Sequence, residues 1–213
     1  SSITTVSDST RFIYTGENPV QSGVVPGVID DHRAAVIKGQ VQDQAGNALS
    51  GARISVKDHP ELGNTQSHAD GTFEMVVNGG GYLTLIFEST GRIPVQRTVR
   101  LPWQDYLVLA PVVLLAPDLN VTTIELDNSH SNYQVARGSI SSDVDGIRQA
   151  VLMFPPGMKA QILLPGGSAK PLSKLSVRAT EFTVGTNGPA AMPGELPATS
   201  GYTYAVELSA DEA

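Results

Sequence analysis

Short strand-like segments separated by tight turns fill residues 36–100, and this pattern constrains the fold more than any other feature of the sequence. Apolar side chains alternate with more polar ones around Phe73 and Met75, which is the period of a β-strand that buries one face. Asp70 followed by Gly71 is a dipeptide that favours a tight hairpin turn. The pattern predicts a β-sandwich with no reactive constellation inside it.

Chain length and composition predict more than one β-rich domain. The chain has 213 residues, which is enough for two ordinary domains, and its 21 glycines and 14 prolines supply many turns. A hydrophobic fraction of 40% is sufficient for a packed core. We therefore predict an all-β fold with two β-sandwich domains: an extended lead-in over residues 1–33, a first sandwich over residues 34–117 and a second β-rich domain over residues 118–213.

Several local predictions accompany these boundaries. Residues 12–14 favour a short strand, and residues 82–87 form a nearly continuous apolar run typical of a strand that is buried on both faces. Glycine-rich residues 79–81 predict a hairpin before that run. In the second domain, residues 121–126 and 133–140 are expected to pair as strands. A Gly- and Pro-rich excursion is expected over residues 185–199.

The charge and residue composition exclude several kinds of partner. The net charge is −7, and the 14 basic residues are scattered, which argues against nucleic-acid binding. Cysteine is absent, so disulfides and thiolate zinc sites are excluded. No apolar run approaches the roughly 20 residues that span a bilayer. The four histidines lack the spacing of a zinc site, so we expect no metal and no cofactor; they are His32, His59, His68 and His130.

The sequence contains no motif for catalysis. A nucleophilic serine in a Gly-x-Ser-x-Gly elbow is absent, so we predict no enzymatic activity and no catalytic residue, and the binding residues stay unknown. Asp143, Asp145 and Gly146 resemble half of a calcium loop, but Phe154 stands where a bidentate glutamate is required. A β-turn in which aspartate caps the backbone is the favoured interpretation, and calcium binding stays open as the alternative.

Aromatic residues offer two interpretations. Trp103 and Tyr106 lie in the stretch Pro-Trp-Gln-Asp-Tyr, and Tyr14 lies in the lead-in. A tryptophan that closes the edge of the sandwich is the favoured interpretation. The alternative is an exposed aromatic platform that binds a carbohydrate or a surface receptor.

The stretch over residues 36–100 resembles the carboxypeptidase regulatory-like domain. The resemblance lies in G-x-V-x-D-x-x-G-N-x-L-x-G-A-x-I-x-V followed by T-x-S-x-A-D-G-x-F. It covers about a third of the chain and implies a seven-stranded, transthyretin-like sandwich. Because this fold is used as an appended module in many proteins, it says little about function.

Longer segments resemble the region that precedes the repeat shell of bacterial Rhs/YD-repeat proteins, which are relatives of the teneurins and of toxin-complex shells. These segments are R-F-I-Y-T-G-E-N-P-V-Q-S-G-V (residues 11–24), N-G-G-G-Y-L-T-L (78–85), L-P-W-Q-D-Y (101–106), V-A-R-G-S-I (135–140) and M-P-G-E-L-P-A-T-S-G-Y-T-Y-A-V-E-L-S (192–209). No Y-D-x-x-G-R repeat is present, so the shell itself would lie outside these residues.

The resemblance implies a non-catalytic structural region of a secreted or cell-surface bacterial protein. We expect the chain to be a fragment of a longer polypeptide in which it plugs or docks against the repeat shell. The expected partner is therefore the remainder of its own polypeptide, with residues 1–33 and 185–199 as the contact segments. The alternative is an extracellular module that binds a carbohydrate or a receptor.

Overall fold

The computed structural model describes residues 5–127, 131–183, 185, 187–194 and 204–212. These residues form two compact units. The first contains residues 5–116 together with 187–194, and the second contains the described residues between 117 and 185 together with 204–212. The prediction of an all-β fold is confirmed, because the described helices are few and short. The sequence had not indicated that residues 187–194 fold with the first unit.

The first unit contains two sheets. Its elements are α1 (Val6–Thr10), a 3-10 helix (Arg11–Ile13), β1 (Ser22–Val24), β2 (Ala34–Gln42), β3 (Arg53–Val56), β4 (Leu62–Gln66), β5 (Thr72–Asn78), β6 (Tyr82–Glu88), β7 (Val95–Arg100), β8 (Tyr106–Val108), β9 (Val112–Val113) and α2 (Gly188–Ala191). One sheet is antiparallel in the order β1-β4-β3-β6-β7. In the other, β2 pairs with β5 in antiparallel fashion and with β8 and β9 in parallel.

The core of the first unit lies between these sheets. The first four residues of β2 are fully buried, as expected for a central strand with apolar side chains on both faces. Phe73 of β5 and Phe87 of β6 meet edge to face, with ring centroids 5.5 Å apart. The two sheets therefore share one apolar interior.

Two predicted hairpins are wrong, because their turns pass from one sheet to the other. The His68 N–H donates to the Thr72 oxygen across the Asp70 and Gly71 turn, as predicted for a tight turn. The strands on either side, β4 and β5, nevertheless belong to different sheets. Residues 79–81 likewise connect β5 of one sheet with β6 of the other. The turn residues therefore predicted where the chain reverses direction. They did not predict which strands pair with each other.

Two strand predictions also need correction. Residues 12–14 lie in and just after the 3-10 helix rather than in a strand. Strand β6 is not buried on both faces: Leu85 and Phe87 are buried, whereas Tyr82 is 71% exposed. One face of the five-stranded sheet looks away from the core, so β6 alternates like its neighbours.

The lead-in folds onto the first sandwich instead of remaining extended. Thr5 and Asp8 form a capping box at the start of α1, which satisfies backbone N–H groups at that helix end. Strand β1 adds an edge strand to the five-stranded sheet by pairing with β4. Ile13 and Ile29 are buried in the core cluster.

Gln21 connects the two sheets from within the lead-in. Its side chain is fully buried. The amide Nε2 donates to the Leu62 oxygen of β4 at 2.7 Å and to the Val76 oxygen of β5 at 2.9 Å. Its Oε1 accepts a hydrogen bond from the Val76 N–H at 2.7 Å. A buried amide with these partners binds the lead-in to both sheets at once.

The second unit consists of several small sheets. Its strands are β10 (Thr122–Glu125), β11 (Gln134–Arg137), β12 (Ser141–Asp143), β13 (Gly146–Arg148), β14 (Val151–Phe154), β15 (Ala160–Leu163), β16 (Ala169–Leu172), β17 (Lys174–Glu181) and β18 (Val206–Ala210). A three-stranded sheet has the order β10-β17-β18, and β11-β14, β12-β13 and β15-β16 are two-stranded ribbons.

The predicted pairing of residues 121–126 with residues 133–140 is wrong. Strand β10 pairs with β17, and β11 pairs with β14. The two segments share a buried apolar cluster, and the side chain of Gln134 accepts from the Glu125 N–H and donates to the Glu125 oxygen. The strand pairs are therefore set by segments more distant in sequence than the nearest candidate.

We predict that Gln21→Leu lowers the free energy of unfolding of the chain by about 2–4 kcal/mol, because buried backbone groups of Leu62 and Val76 then lose their hydrogen-bond partner. Circular dichroism during urea unfolding measures the change. Gln44→Leu is the matched control, since Gln44 is exposed, and it should change stability by less than about 0.5 kcal/mol. Equal stabilities of the two variants would contradict the assigned role of Gln21.

Candidate functional site

The metal and membrane predictions can be compared only with the described part of the chain. There, no group of three or more His, Cys, Asp or Glu residues is arranged to hold a metal ion. No described helix is long and apolar enough to cross a bilayer. His59 and His68 contact separate glutamates, with His59 Nδ1 lying 2.9 Å from a Glu61 oxygen and His68 Nε2 lying 3.3 Å from a Glu74 oxygen. His130 lies outside the described residues.

Asp143 occupies the turn of the β12-β13 ribbon. Its Oδ1 accepts from the Asp145 N–H at 2.9 Å, as in the capped turn predicted from the sequence. Both of its oxygens also accept hydrogen bonds from Arg148, at 2.8 and 2.6 Å. The Arg148 guanidinium holds the pKa of Asp143 well below its usual range. Its carboxylate is therefore already neutralised by Arg148, which favours the turn over the calcium alternative.

A buried carboxylate that the sequence did not single out lies beside this pair. Glu181 at the end of β17 has a side chain only 6% exposed, and its Oε1 lies 3.7 Å from Arg148 Nε. Burial and the Glu181 charge raise the pKa of Tyr204. The cluster joins the β12-β13 ribbon to β17 by charge, and Glu181 Oε1 also accepts hydrogen bonds from the Thr183 N–H and hydroxyl. Its chemistry is that of a structural ion pair.

We predict that Asp143→Asn destabilises the second unit at neutral pH. The difference in free energy of unfolding between wild type and this variant should become smaller in acid. The folded-state pKa of Asp143 is lowered, so its contribution is present above the ordinary carboxyl pKa of about 3.9 and disappears as the pH falls through the folded value. Urea unfolding of wild type and variant between neutral pH and about pH 2 measures this.

Asp145→Asn is the control, because the Asp145 side chain is exposed. It should show a smaller deficit at every pH. A deficit of Asp143→Asn that stays constant across the pH range would contradict the ion pair as its cause.

One segment expected to contact a neighbour is partly used inside the first unit. Of residues 185–199, residues 187–194 pack against β7. Arg97 donates to the Ala190 and Met192 oxygens, both at 2.8 Å. Residues 186 and 195–199 lie outside the described part of the chain. The lead-in also folds with the first sandwich, where β1 pairs with β4 at the edge of the five-stranded sheet.

Trp103 is 63% exposed, so the interpretation that it closes the edge of the sandwich is wrong. It lines a cleft of about 550 Å³ together with Tyr106, which is 44% exposed. Tyr14 lies elsewhere, in a cleft of about 450 Å³ beside Arg11 and Asp31. The structure thus brings Trp103 and Tyr106 together but not Tyr14.

The β11-β14 ribbon has one covered face and one exposed apolar face. Leu152 and Phe154 pack against the buried cluster of the second unit. On the other face, Val135 and Met153 are direct cross-strand partners and are 39% and 63% exposed. Val151, on the same strand as Met153, is 47% exposed, and its cross-strand partner is the exposed Arg137. We call Val135, Val151 and Met153 the apolar ribbon face.

The sequence contained a signal for this face that was not used. Residues 151–154 are all apolar, so a strand there must place apolar side chains on both of its faces. One such face is covered within the second unit and the other is not. A run of this kind in a two-stranded ribbon indicates a second packing surface.

Comparison with known proteins gives a domain-level similarity. Residues 29–114 match the family model described as the teneurin TTR-like domain. Human Teneurin-4 is 35% identical over 121 residues, which are 57% of this chain and 4% of that protein. Mouse Teneurin-4 is 36% identical over 174 residues, which are 80% of this chain and 6% of that protein. Drosophila melanogaster Teneurin-m is 33% identical over 117 residues, 54% of this chain and 4% of that protein.

The similarity to mouse Teneurin-4 extends beyond the matched domain, since an alignment over 80% of the chain includes residues of both units. The chain nevertheless spans only about one twentieth of these relatives. Among solved structures, chlorocatechol 1,2-dioxygenase from Pseudomonas putida has a TM-score of 0.34 and 15% identity, covering 43% of this chain and 66% of that chain. A TM-score this low supports no inference.

These findings confirm part of what the sequence predicted. The transthyretin-like fold of the first sandwich is confirmed by the matched family. The prediction that the chain is not an enzyme is also confirmed, because the matched domain is not catalytic. The relatives are animal proteins, so they do not support the expected bacterial source.

Proposed function

We propose that this chain is a non-catalytic structural region of a longer, teneurin-like polypeptide, and that its second unit docks on a neighbouring part of that polypeptide. The apolar ribbon face carries this proposal. The proposed docking partner is the remainder of that longer polypeptide. More specifically, we propose that this partner is a repeat shell of the Rhs/YD type and that the second unit plugs it.

An uncovered apolar ribbon face is unusual for a free-standing domain. Two-stranded ribbons are marginally stable in water unless they pack against something else. Contiguous exposed apolar surface marks an interaction site more often than isolated exposed side chains do. Val135 and Met153 face each other directly across the ribbon, so their exposed atoms form one patch.

Further apolar side chains of the second unit have the same character. Ile140, Val144 and Ile147 lie in or next to the β12-β13 ribbon, and all three side chains are exposed. Within the described residues, this unit has few buried apolar side chains; they are Ile124, Leu126, Ala136, Val177, Ala179 and Phe182. A unit with so much apolar surface outside its core gains stability when that surface is covered.

The size of the relatives supports an occupant from the same polypeptide. This chain corresponds to 4–6% of their length, so a related protein contains ample additional chain to cover the face. The resemblance of residues 11–24, 135–140 and 192–209 to the region before an Rhs/YD shell supports a shell as that occupant. A covalently connected partner is also present at high effective concentration, so a modest apolar contact suffices for docking.

The contact surface differs from the one expected from the sequence. Residues 5–33 and 187–194 fold with the first sandwich, although Phe12 of the lead-in stays exposed. We assign docking to the second unit. A secreted or cell-surface location is part of this proposal.

We predict that Val135→Ser combined with Met153→Ser weakens docking in the parent polypeptide by about 3 kcal/mol, because about two apolar side chains lose their burial. Limited proteolysis of the parent should then cleave faster around this region. The same double variant in the 213-residue chain should keep its circular dichroism spectrum and gain solubility.

Phe12→Ser is the matched control, since Phe12 is 70% exposed but lies in the first unit. It should leave proteolysis of the parent unchanged. Equal protease resistance of the parent with and without the double substitution would contradict docking through the apolar ribbon face.

A further inference from the structure

The backbone on both sides of Trp103 is fixed by hydrogen bonds although the Trp103 side chain is exposed. The backbone before it is fixed to the turn after β5, because the Gly80 N–H donates to the Leu101 oxygen at 3.1 Å and the Leu101 N–H donates to the Gly81 oxygen at 2.9 Å. After it, Gln104 adopts a left-handed backbone with a φ of 48°, which is uncommon for a residue other than glycine. The Gln104 side chain donates to the His32 oxygen at 3.0 Å.

Two glycines make room for this arrangement. A Cβ on Gly79 would lie 1.9 Å from the Pro102 oxygen, and a Cβ on Gly80 would lie 1.6 Å from Trp103 Nε1. Gly80 also has a φ of 89°, which glycine adopts readily. The indole therefore rests directly on the Gly80 backbone, where no other residue would leave space for it.

Polar groups surround the indole in the same cleft. The Arg100 side chain makes no hydrogen bond or ion pair with the described residues. Asp105 Oδ1 accepts from the Tyr106 N–H at 2.7 Å, and its other oxygen accepts no hydrogen bond there. Lys38 does not line the cleft: its ammonium lies 5.3 Å from the centroid of the Tyr106 ring and pairs with Glu74 at 3.9 Å. The cleft thus combines an exposed aromatic face with a cation and an anion that have hydrogen-bonding capacity to spare.

The left-handed backbone of Gln104 and the exposed indole of Trp103 each cost free energy in the folded protein. A residue other than glycine in the left-handed region costs about 1–3 kcal/mol, and such residues cluster at functional sites. Exposure of most of an indole leaves a large apolar area in water. A ligand that covers the indole would recover part of this cost.

We propose that this cleft, which we call the Trp103 cleft, binds a neutral saccharide. The C–H face of a pyranose ring fits the electron-rich face of an indole, whose quadrupole attracts positively polarised hydrogens. The planar groups of Arg100 and Asp105 can each engage two neighbouring hydroxyls, Arg100 as donor and Asp105 as acceptor. The two charges are opposite, so the cleft selects for a ligand without net charge.

The shape and surroundings of the cleft favour a sugar over a protein side chain. Its volume of about 550 Å³ lies within the range of small-molecule sites. Hot spots between proteins exclude water from a mainly apolar centre, whereas polar groups with free hydrogen-bonding capacity flank this indole. The proposal does not depend on docking of the second unit, since every residue that carries it belongs to the first unit.

Tryptophan fluorescence tests the proposal directly, because Trp103 is the sole tryptophan of the chain. The 213-residue chain is titrated with cellotriose and chitotriose as neutral probes and with a hyaluronan tetrasaccharide as an acidic probe. We expect a saturable change in emission and protection from acrylamide quenching with a neutral probe, at a dissociation constant on the order of 1 mM or tighter.

Substitutions separate binding from a general change in the protein. Arg100→Ala and Asp105→Asn should each weaken saccharide binding about tenfold while leaving the circular dichroism spectrum unchanged, since each removes a charge-assisted hydrogen bond to the ligand. Arg53→Ala is the control, because Arg53 pairs with Glu88 outside the cleft, and it should bind as wild type does. Gly80→Ala should displace the indole, alter the unliganded emission and abolish binding.

Three outcomes would overturn the proposal. One is the absence of any response to both neutral probes. Another is binding of the acidic probe alone with no effect of Asp105→Asn, which would make Arg100 an anion site. The third is quenching protection that appears only when the rest of the parent polypeptide is present, which would make the Trp103 cleft a protein contact.

Discussion

Strand β2 is the element on which the first unit depends, because each other strand of its sheet is hydrogen bonded to it. Strand β5 pairs with it along seven positions, and β8 and β9 pair with it in parallel on the other side. A parallel partner cannot follow through a tight turn, so β8 reaches β2 only after a long connection. The turns at residues 70–71 and 79–81 lead from the other sheet into β5 and back again. Gln21 then joins β4 to β5 and connects both sheets inside the core.

The second unit has no strand with a comparable role. Strand β17 connects β10 and β18, but the remaining strands form separate ribbons. The β11-β14 and β15-β16 ribbons place side chains such as Phe154 and Leu172 against the cluster around Ile124, whereas the β12-β13 ribbon contributes none to it. The first unit thus has one large apolar core between two sheets, whereas the buried apolar residues of the second unit are few within the described part of the chain. The proposed structural role rests on this difference in packing, and the proposed Trp103 cleft lies in the first unit.

The sequence predicted the fold class because that class depends on local signals. Alternation around Phe73 and the turn at Gly71 appear in the structure as expected. Pairing could not be predicted, since it depends on contacts distant in sequence: Gln21 binds Leu62 and Val76, which lie 41 and 55 residues away. Trp103 is exposed because its indole lies against Gly80. The presence of a tryptophan after a proline in the sequence does not indicate this contact. The apolar ribbon face was readable in principle from residues 151–154, but only with the knowledge that they lie in a two-stranded ribbon.

Oxidative footprinting of methionine tests the central claim most directly, because the chain contains an exposed and a buried methionine as built-in references. Met153 on the apolar ribbon face is 63% exposed, and Met75 in the core of the first unit is fully buried. Both forms of the protein, the 213-residue chain and its parent polypeptide, are oxidised under native conditions and analysed by mass spectrometry. The account predicts rapid oxidation of Met153 in the chain, strong protection of Met153 in the parent, and slow oxidation of Met75 in both. Equal oxidation of Met153 in chain and parent would contradict docking of the second unit.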